Sequence, residues 1–555
     1  MSNRTHSFDN SGLIASALIK TDPSLAASVD AAGAWKYTIK QRGARVAKYR
    51  RYERGDHDSG ITSAMRTMLR LDKGDGTGLQ DFTVNYMRIV IDKMAGRLSA
   101  DEITSTSPTG ADTINQYINR LLDRNGWSSL QGSLYRAATR DGDSWVMIDP
   151  VSLKWTAEPS FDGFSGVVAL FRQGSPLPVW ACKIWSEADI EDLEDSGNSG
   201  TVDMRLVVYQ PKVITQWHGP MNGNEVSRFE GVLDQGNGMG VVTPSSRDWA
   251  IGSIPIVHLV NMGDNYTYYG ESELRAAIAP QDVLNRVLHS MVMASEFSAF
   301  KVSWSIGMAI EKQGITPGSV INLFISDEDG KPAASLTAEQ IEFLKAVRVG
   351  EFSATDIQQY VSQMDHLIRQ ISQVTQTPIY GVTVEGGNLS GEALKQLEVG
   401  LVGKIRRFQR ENERGIRSLI EMTSQIHREF DIEDDFELNP PEIKNGELSI
   451  SWKNPEILDQ QGAVATILAI REKAPGLFTD DFIRERLGPL LGLTMSKVKE
   501  ESNKAEEEKS LSRDNSTGAD GSLPAMDARG LALAMAAAKK KLDVTDQASG
   551  SQEGQ

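Results

Sequence analysis

The sequence predicts a multidomain α+β protein, and three observations support that prediction. Its 555 residues exceed the few hundred that one hydrophobic core usually organises. Segments with strand character gather between residues 145 and 260, whereas helical periodicity prevails on either side of them. Residues 352–428 combine an amphipathic helix, a glycine-rich loop and a much longer helix. A helix longer than the globular average indicates a framework or an assembly, around which the rest of the chain is expected to pack.

The N-terminal region divides into a polar segment and a basic segment. Residues 1–34 are small and polar with weak periodicity, which predicts a mobile arm. Ordered structure is expected from Trp35 onward. The basic residues that follow, opposed only by Glu53, are Lys40, Arg42, Arg45, Lys48, Arg50 and Arg51. They fit either a contact with a polyanion or a solvated helix face beside an acidic neighbour.

The region up to residue 274 is expected to contain helices first and strands afterwards. Apolar periodicity predicts helices over 82–98, Ile114–Asp123 and Leu130–Thr139. Short runs rich in β-branched and aromatic residues predict strands. These runs are Trp145–Asp149, Gly166–Phe171, Val179–Trp185, Arg205–Tyr209 and Ile254–Val260. The glycine-rich stretches Gly219–Gly223 and Gln235–Gly240 are expected to be turns between strands.

Two helices are predicted to bracket a short insert. The first covers 275–297, with Pro280 in its first turn and Val283, Leu284, Val287, Leu288 and Met291 on its apolar side. The insert covers 298–351, with strand candidates at 300–304 and 319–325. The second helix lies within 352–378 and ends at Thr377-Pro378, because proline lacks a donor and disfavours helical geometry in the residue before it.

The second bracketing helix has two different faces. Its apolar stripe consists of Ile357, Tyr360, Val361, Met364, Leu367, Ile368, Ile371 and Val374. The remaining surface is polar but poor in charge, with Gln359, Gln363, His366, Gln370 and Gln373, and it also carries Arg369. Such a helix can pack laterally through the stripe while it turns the polar face to water.

A glycine-rich loop over 379–389 separates this helix from the long one. Ser390 is the expected N-cap, with Glu392 in the first turn, where the helix dipole favours an anion. Apolar residues keep helical spacing from Leu394 to Ile420, and a strand return is expected before residue 454. Three further helices are predicted over 455–505. Residues 506–555 are expected to be largely disordered, apart from one marginal helix.

Composition limits the classes of function. No run approaches the roughly eighteen apolar residues of a membrane span, so no membrane partner is expected. The N-terminus lacks the basic and apolar regions of a signal peptide. The single cysteine, Cys182, is expected to be a buried core thiol. A net charge of −17 argues against a conventional nucleic-acid binder, but not against a protein that DNA passes without sticking.

Signatures of enzymes are missing from the sequence. No Gly-x-x-x-x-Gly-Lys-Ser/Thr occurs, and Gly400-Leu-Val-Gly-Lys404 lies within the predicted long helix. Gly-x-Ser-x-Gly is absent. The seven histidines lack the spacing of metal ligands, and Asp327-Glu-Asp-Gly330 lacks the later positions of a calcium loop. We therefore predict a non-enzymatic protein with no cofactor, metal site or catalytic residue.

Several short motifs, in their order and spacing, resemble the portal (head-to-tail connector) proteins of tailed bacteriophages. The similarity covers about residues 45–505. Its motifs are Asn85-Tyr-Met-Arg-Ile-Val-Ile-Asp92, Gly142-Asp-Ser-Trp-Val146, Gly270-Glu-Ser-Glu-Leu274, Asp282-Val-Leu-Asn-Arg286, Thr377-Pro-Ile-Tyr-Gly381 and Gly387-Asn-Leu-Ser-Gly-Glu-Ala-Leu-Lys395. The last one, which opens the long helix, is the most distinctive.

The resemblance implies a role for each region. Residues 35–274 would form an α/β wing, 275–297 and 352–378 two stem helices, and 298–351 a small α/β clip. Residues 379–389 would form a tunnel loop, 390–454 the long wing helix and β return, and 455–505 a helical crown. The basic N-terminal helix, the long β-rich wing and the tail past 505 depart from the family pattern.

The resemblance also implies an assembly and its partners. The expected homo-oligomer is a dodecameric ring at one capsid vertex, through which double-stranded DNA enters and leaves. Its expected partners are the terminase large subunit, a head-completion or adaptor protein, the major capsid protein and a scaffold protein. It would reside in the virion, and in the host cytoplasm during assembly. The alternative function is an oligomeric DNA-processing enzyme or its non-catalytic regulatory subunit.

Three sets of site residues follow from the resemblance. The tunnel-loop candidates are Thr383, Val384, Glu385, Gly386, Gly387 and Asn388; the two glycines fit either a moving loop or a tight helix-entry turn. The channel-wall candidates are Gln359, Gln363, His366, Arg369, Gln370 and Gln373, and Arg369 fits a structural salt bridge equally well. The clip residues expected to dock terminase or adaptor are Ile315, Val320, Leu323, Phe324, Ile325, Asp327 and Asp329.

Overall fold

The computed structural model describes residues 11–29, 34–58, 83–108, 110–171, 177–186, 201–222, 245–249, 251–263, 268–299, 303–306, 337–346, 348–351, 356–379, 391–430, 439–444 and 446–456. The chain divides into two units, residues 1–456 and 457–555, and every described element belongs to the first. The tunnel-loop and clip candidates, the predicted crown beyond Glu456 and the predicted tail lie outside the described residues.

The described residues form an α+β structure, as predicted. The helices are α1 (Ser11–Thr21), α2 (Pro23–Val29), α3 (Ala34–Arg54), α4 (Met87–Ala95), α5 (Ala111–Arg124), α6 (Trp127–Asp141), α7 (Ile278–Ala299), α8 (Ala338–Ala346), α9 (Gln358–Val374) and α10 (Gly391–Glu429). The strands are β1 (Ala100–Ser105), β2 (Asp143–Ile148), β3 (Trp155–Glu158), β4 (Gly166–Phe171), β5 (Pro178–Ser186), β6 (Thr201–Tyr209), β7 (Val213–Asn222), β8 (Ser245–Asp248), β9 (Ile256–Val260), β10 (Ser303–Ile306), β11 (Arg348–Glu351) and β12 (Leu448–Trp452).

The strands pair antiparallel in four sheets. The largest is a meander with the order β4-β5-β6-β7-β8, and a second sheet has the order β3-β2-β9. β10 pairs with β11 inside the predicted insert. β1 pairs with β12, so that Ile103 lies opposite Ile450 although the two are far apart in sequence.

The main core joins the second sheet to helices α5, α6 and α10. Trp145, Tyr135 and Phe408 are among its fully buried side chains. On α10, Asn412 donates from Nδ2 to the Val260 carbonyl at 2.7 Å and accepts the Val260 N–H at 2.7 Å, so the amide completes the edge strand β9 as another strand would. The long helix is therefore bonded to the sheet as well as packed on it.

The N-terminal segment differs from the predicted mobile arm. Residues 11–29 form α1 and α2, and Leu13, Ile14 and Leu18 are fully buried in a second core with β5 and β6. The indole N–H of Trp180 donates to Thr21 Oγ1 at 3.0 Å. The prediction was wrong over these residues because their apolar partners lie more than one hundred residues later in the chain, where no local periodicity reveals them.

Most predicted elements are confirmed, with shifted ends. The helix predicted over 82–98 is shorter, because Asn85 Oδ1 accepts the N–H groups of Met87 and Arg88 and starts the helix there. The turn predicted at Gly219–Gly223 is wrong over 219–222, where β7 continues in register with β6. Helix α8 was not predicted, and neither were strands β1, β3, β7, β8 and β11.

A pair of adjacent substitutions on α1 tests whether the N-terminal segment belongs to the folded core. Leu18→Ala should lower the free energy of unfolding by about 2–5 kcal/mol, because it empties a filled site in the second core. Ile19→Ala is the matched control, since Ile19 is 45% exposed on the same helix turn and should change stability by about 0.5 kcal/mol or less. Chemical denaturation measures both. Equal midpoints for the two variants and the parent protein would contradict the packing of α1.

Candidate functional site

Two of the family-like motifs meet in space at a close approach of two backbones. A Cβ atom on Gly270 would lie 2.0 Å from the carbonyl oxygen of Gly142, and one on Gly142 would lie 2.8 Å from the Gly270 carbonyl oxygen. Gly142 also has a φ of 93°, which disfavours other residues. Asn261 links the two segments, donating its N–H to the Gly142 carbonyl at 2.9 Å and accepting the Glu271 N–H at 2.8 Å.

The carboxylate of Asp143 lies fully buried at this contact and is bound from three sides. It pairs with the guanidinium of Arg42, accepts the Gly270 N–H at 2.8 Å, and lies 2.7 Å from Nε2 of His258. The His258 ring stacks on Trp145 with centroids 4.3 Å apart. Because Arg42 already neutralises the carboxylate, a second cation gains little there, and burial lowers the pKa of His258 to about 3.

A second arginine of α3, Arg50, also pairs inside the molecule. Arg50 donates to Asp141 at 2.9 Å and to Asp162 at 2.8 Å, and it reaches the Ser160 carbonyl at 2.7 Å. Arg140 of α6 binds both Asp141 and Glu53. Of the two interpretations of the basic helix, the acidic neighbour is therefore correct for Arg42 and Arg50. Their side chains are nevertheless mostly covered, with 20% and 16% exposure, rather than solvated.

The Asp143 contact is the first of three joints between distant segments, and a second joint connects the motifs that contain Asn85 and Asp282. Asn285 of α7 accepts the Val84 N–H at 2.9 Å, and Gln281 donates to the Val84 carbonyl at 2.6 Å. The hydroxyl of Tyr52 donates to Asp282 at 2.7 Å. These bonds attach the start of α7 to α3 and to the segment before α4.

A buried histidine completes the second joint. With its oxygen bound to Val84, the Asn285 amide offers an N–H to Nδ1 of His57 at 2.8 Å, and Nε2 of the ring lies 2.9 Å from the Tyr52 carbonyl. This assignment makes Nδ1 an acceptor and Nε2 a donor, which is the neutral tautomer. Burial accordingly lowers the pKa of His57.

A third joint ties the long helix to the same region. Glu273, buried in the Gly270–Leu274 motif, pairs with Lys404 of α10 and lies 3.2 Å from the Asn261 amide. Lys404 also donates to the Thr375 carbonyl at the end of α9. The three joints together fix α7, α9 and α10 against the β3-β2-β9 sheet.

Helices α7 and α9 pack on each other beyond these joints. Leu284, Ile368 and Ile371 are buried in one cluster. Both helices keep apolar side chains partly exposed: Val283 of α7 is 48% exposed, and Val361 and Val374 of the α9 stripe are 36% and 46% exposed. Five of the channel-wall candidates lie on the exposed face of α9, namely Gln359, Gln363, His366, Gln370 and Gln373, whereas Arg369 is half-buried.

Sequence reasoning missed the roles of Asp143, His258, Glu273 and Asn285. The signal was present, because three of the four belong to motifs that carried the family resemblance. A motif gives the position of a residue but not the distant residues to which it binds. The joints therefore emerge only when the chain is folded.

The described part of the chain provides no catalytic constellation. No group of three or more His, Cys, Asp or Glu residues there could hold a metal ion. Cys182 is fully buried, and burial raises the pKa of its thiol, so it stays protonated. Among the same residues, no helix is both long and apolar enough to cross a membrane.

Comparison with known proteins gives one family match and several remote structural similarities. The family model "Phage portal protein, SPP1 Gp6-like" matches residues 204–508, more than half of the chain. No curated protein sequence matches. The neck of a native gene transfer agent (GTA) particle is similar with a TM-score of 0.37 and 12% identity, covering 78% of this chain and 94% of that one. The neck of an empty GTA particle gives 0.38 and 12%, covering 79% and 95%.

The buried carboxylate can be tested against an exposed one that pairs with the same helix. Asp143→Asn should lower the free energy of unfolding by about 3–5 kcal/mol, because Arg42 loses the negative charge that compensates its burial. Asp58→Asn is the control; Asp58 pairs with Arg51 at 2.6 Å but is 47% exposed, so its loss should have an effect of about 1 kcal/mol or less. Chemical denaturation measures both changes. Equal losses of stability in the two variants would show that the buried Asp143–Arg42 pair contributes no more than the exposed Asp58–Arg51 pair.

Burial lowers the pKa of both His57 and His258, which predicts that acid weakens the fold. The pKa of His258 falls from 6.5 to about 3 on folding, so the unfolded chain binds its proton first. The free energy of unfolding should therefore drop as pH falls below about 6.5, by up to about 1.4 kcal/mol per pH unit from His258, and His57 acts in the same direction. Denaturant titrations at pH 7.5, 6.5 and 5.5 measure the slope.

Histidine substitutions then show which residue causes this dependence of stability on pH. His258→Asn should flatten it, whatever the variant does to stability at pH 7.5, because that variant carries one titrating group fewer. His366→Asn, at an exposed position on α9, should leave it unchanged. A parent protein with equal stability from pH 7.5 to 5.5 would contradict the neutral, buried assignment.

Proposed function

Because the chain belongs to the SPP1 Gp6-like family of phage portal proteins, we propose that it builds the ring-shaped channel through which double-stranded DNA enters and leaves a phage-type capsid. The observation that carries this proposal is the family match over residues 204–508, which includes all of α7, α9 and α10. The match confirms the resemblance inferred from the short motifs. The family is structural, so the prediction of a non-enzymatic protein is confirmed as well.

We assign the parts of the subunit as the sequence predicted them. In this assignment α7 and α9 are the two stem helices, the insert over 298–351 is the clip, and 379–389 is the tunnel loop. The packing of α7 against α9 on either side of the insert supports the stem assignment. The three joints would hold the base of this stem on the wing, and the clip would lie at its far end.

A channel wall requires a surface that DNA touches without binding. The exposed glutamines of α9 supply polar groups without positive charge. Phosphate contacts from Lys and Arg supply most non-specific DNA affinity, so their scarcity would let DNA slide. The chain's net charge of −17 acts in the same direction.

The proposed assembly is a dodecamer at the portal vertex of the virion, formed in the host cytoplasm. There it would contact the major capsid protein and a scaffold protein. The clip would dock the terminase large subunit during packaging and a head-completion or adaptor protein afterwards. Membership of a structural protein family argues against the alternative, a DNA-processing enzyme. If the purified protein does not hydrolyse ATP, it contains no motor of its own.

Ring formation is the direct test of this function. At micromolar concentration the protein should form closed rings with a central hole, since the two stem helices leave apolar Val283 and Val361 exposed in a single copy. Mass photometry measures the mass, and negative-stain imaging shows the hole. A folded protein that stays monomeric or dimeric would contradict the proposal.

Two variants test whether the stripe mediates assembly. Val361→Gln should reduce the ring fraction, because it places a polar amide in the proposed contact between subunits. Gln359→Ala changes the polar face of the same helix and should leave assembly unchanged. Equal ring fractions for both variants would assign the contact to another surface.

A further inference from the structure

A cavity of about 360 Å³ lies beside the Asp143 contact, between α3 and the segment that leads into α7. Its lining contains three arginines, two tyrosines and a methionine: Arg42, Arg45, Arg275, Tyr49, Tyr269 and Met262. The cavity has an opening to solvent, and its walls combine positive charge with apolar and aromatic surface. None of the roles discussed above uses it.

The carboxylates in the lining are already paired with arginines. Asp141 binds Arg50 and Arg140, and Glu271 binds Arg275. Arg42 has Asp143 as its partner. Arg45 differs from these, because within the described part of the chain no carboxylate lies within ion-pairing distance of its guanidinium. The cavity therefore carries one positive charge that this part of the chain does not balance.

The electrostatics of the cavity favour an anion. Burial, together with the charge of Arg45, lowers the pKa of Arg42 to about 10, although Tyr269 and Asp141 act in the opposite direction. An anion between the two guanidinium groups would remove this repulsion and accept hydrogen bonds from Arg45. The hydroxyl of Tyr49, whose pKa is raised by burial, stays protonated and can donate as well.

We propose that this cavity receives a carboxylate side chain from a neighbouring copy of the chain. The inference rests on the ring proposed above, in which every subunit meets an identical neighbour. Acidic residues outnumber basic ones by 75 to 58, so a neighbour offers carboxylates in excess. The aromatic and methionine walls suit the methylene stem of a glutamate or aspartate.

A DNA phosphate fits the cavity less well than a carboxylate. Arg45 is exposed but Arg42 is only 20% exposed, so a phosphate in a duplex backbone could reach Arg45 and not the inner part of the cavity. A single side chain can enter it. The cavity is accordingly assigned to contact between subunits rather than to the channel wall.

The test compares Arg45→Gln, Arg45→Lys and the control Arg54→Gln at an exposed position near the end of α3. Mass photometry across protein and NaCl concentrations measures ring assembly. Arg45→Gln should raise the protein concentration at half assembly by about tenfold or more and flatten its dependence on NaCl, because a charged contact is lost. Arg45→Lys should retain most of that dependence, and Arg54→Gln should behave as the parent protein.

The outcomes separate this inference from the proposed function. Rings that form equally with Arg45→Gln, at every NaCl concentration, would overturn the cavity assignment and leave the portal function intact. A parent protein without rings would overturn both. Unchanged assembly with weaker retention of duplex DNA would assign the cavity to phosphate instead. Melting temperatures check the fold, and that of Arg45→Gln should match the parent.

Discussion

One buried carboxylate, Asp143, is the constraint on which the centre of this subunit depends. A charge without water is tolerated only when all its partners are in place, and here they come from α3, β9 and the Gly270 segment. The Gly142–Gly270 approach that brings these partners together leaves no space for a Cβ atom. The contact therefore specifies a single arrangement of helix, sheet and loop, since any shift would leave a buried charge without its partner.

This arrangement also determines where the stem helices lie. Glu273 lies three residues after Gly270 and binds Lys404 of α10, whereas Asn285 holds the start of α7 to the segment before α4. Both bonds lie at the base of the α7–α9 pair. In the proposed ring, this geometry anchors one end of the stem on the wing and leaves the exposed stripe to be covered by neighbouring subunits.

Local patterns were sufficient to predict elements, but not the contacts between them. The stripe of α9 and strands β2, β4, β5 and β6 could be predicted from sequence, because each is encoded by the spacing of nearby residues. Helix α1 could not, since Leu18 packs in the same core as Trp180, and neither could the β1–β12 pair. The joints could not be predicted for the same reason, because Asp143 and Arg42 are distant in sequence and become partners only in the folded chain. The tunnel-loop and clip assignments remain predictions.

Two arginines of α3 show how an acidic chain uses the charges of a basic helix inside its own fold. Arg42 and Arg50 are committed to Asp143, Asp141 and Asp162, so their charges hold the subunit together and are not available to phosphates. Exposed in a channel, the same side chains would slow DNA, because each phosphate contact adds salt-sensitive affinity. In this subunit Arg42 and Arg50 lie at internal joints, and Arg45 lies at the proposed contact between copies. The positive charge that stabilises the assembly is therefore kept apart from the polar surface along which DNA is proposed to move.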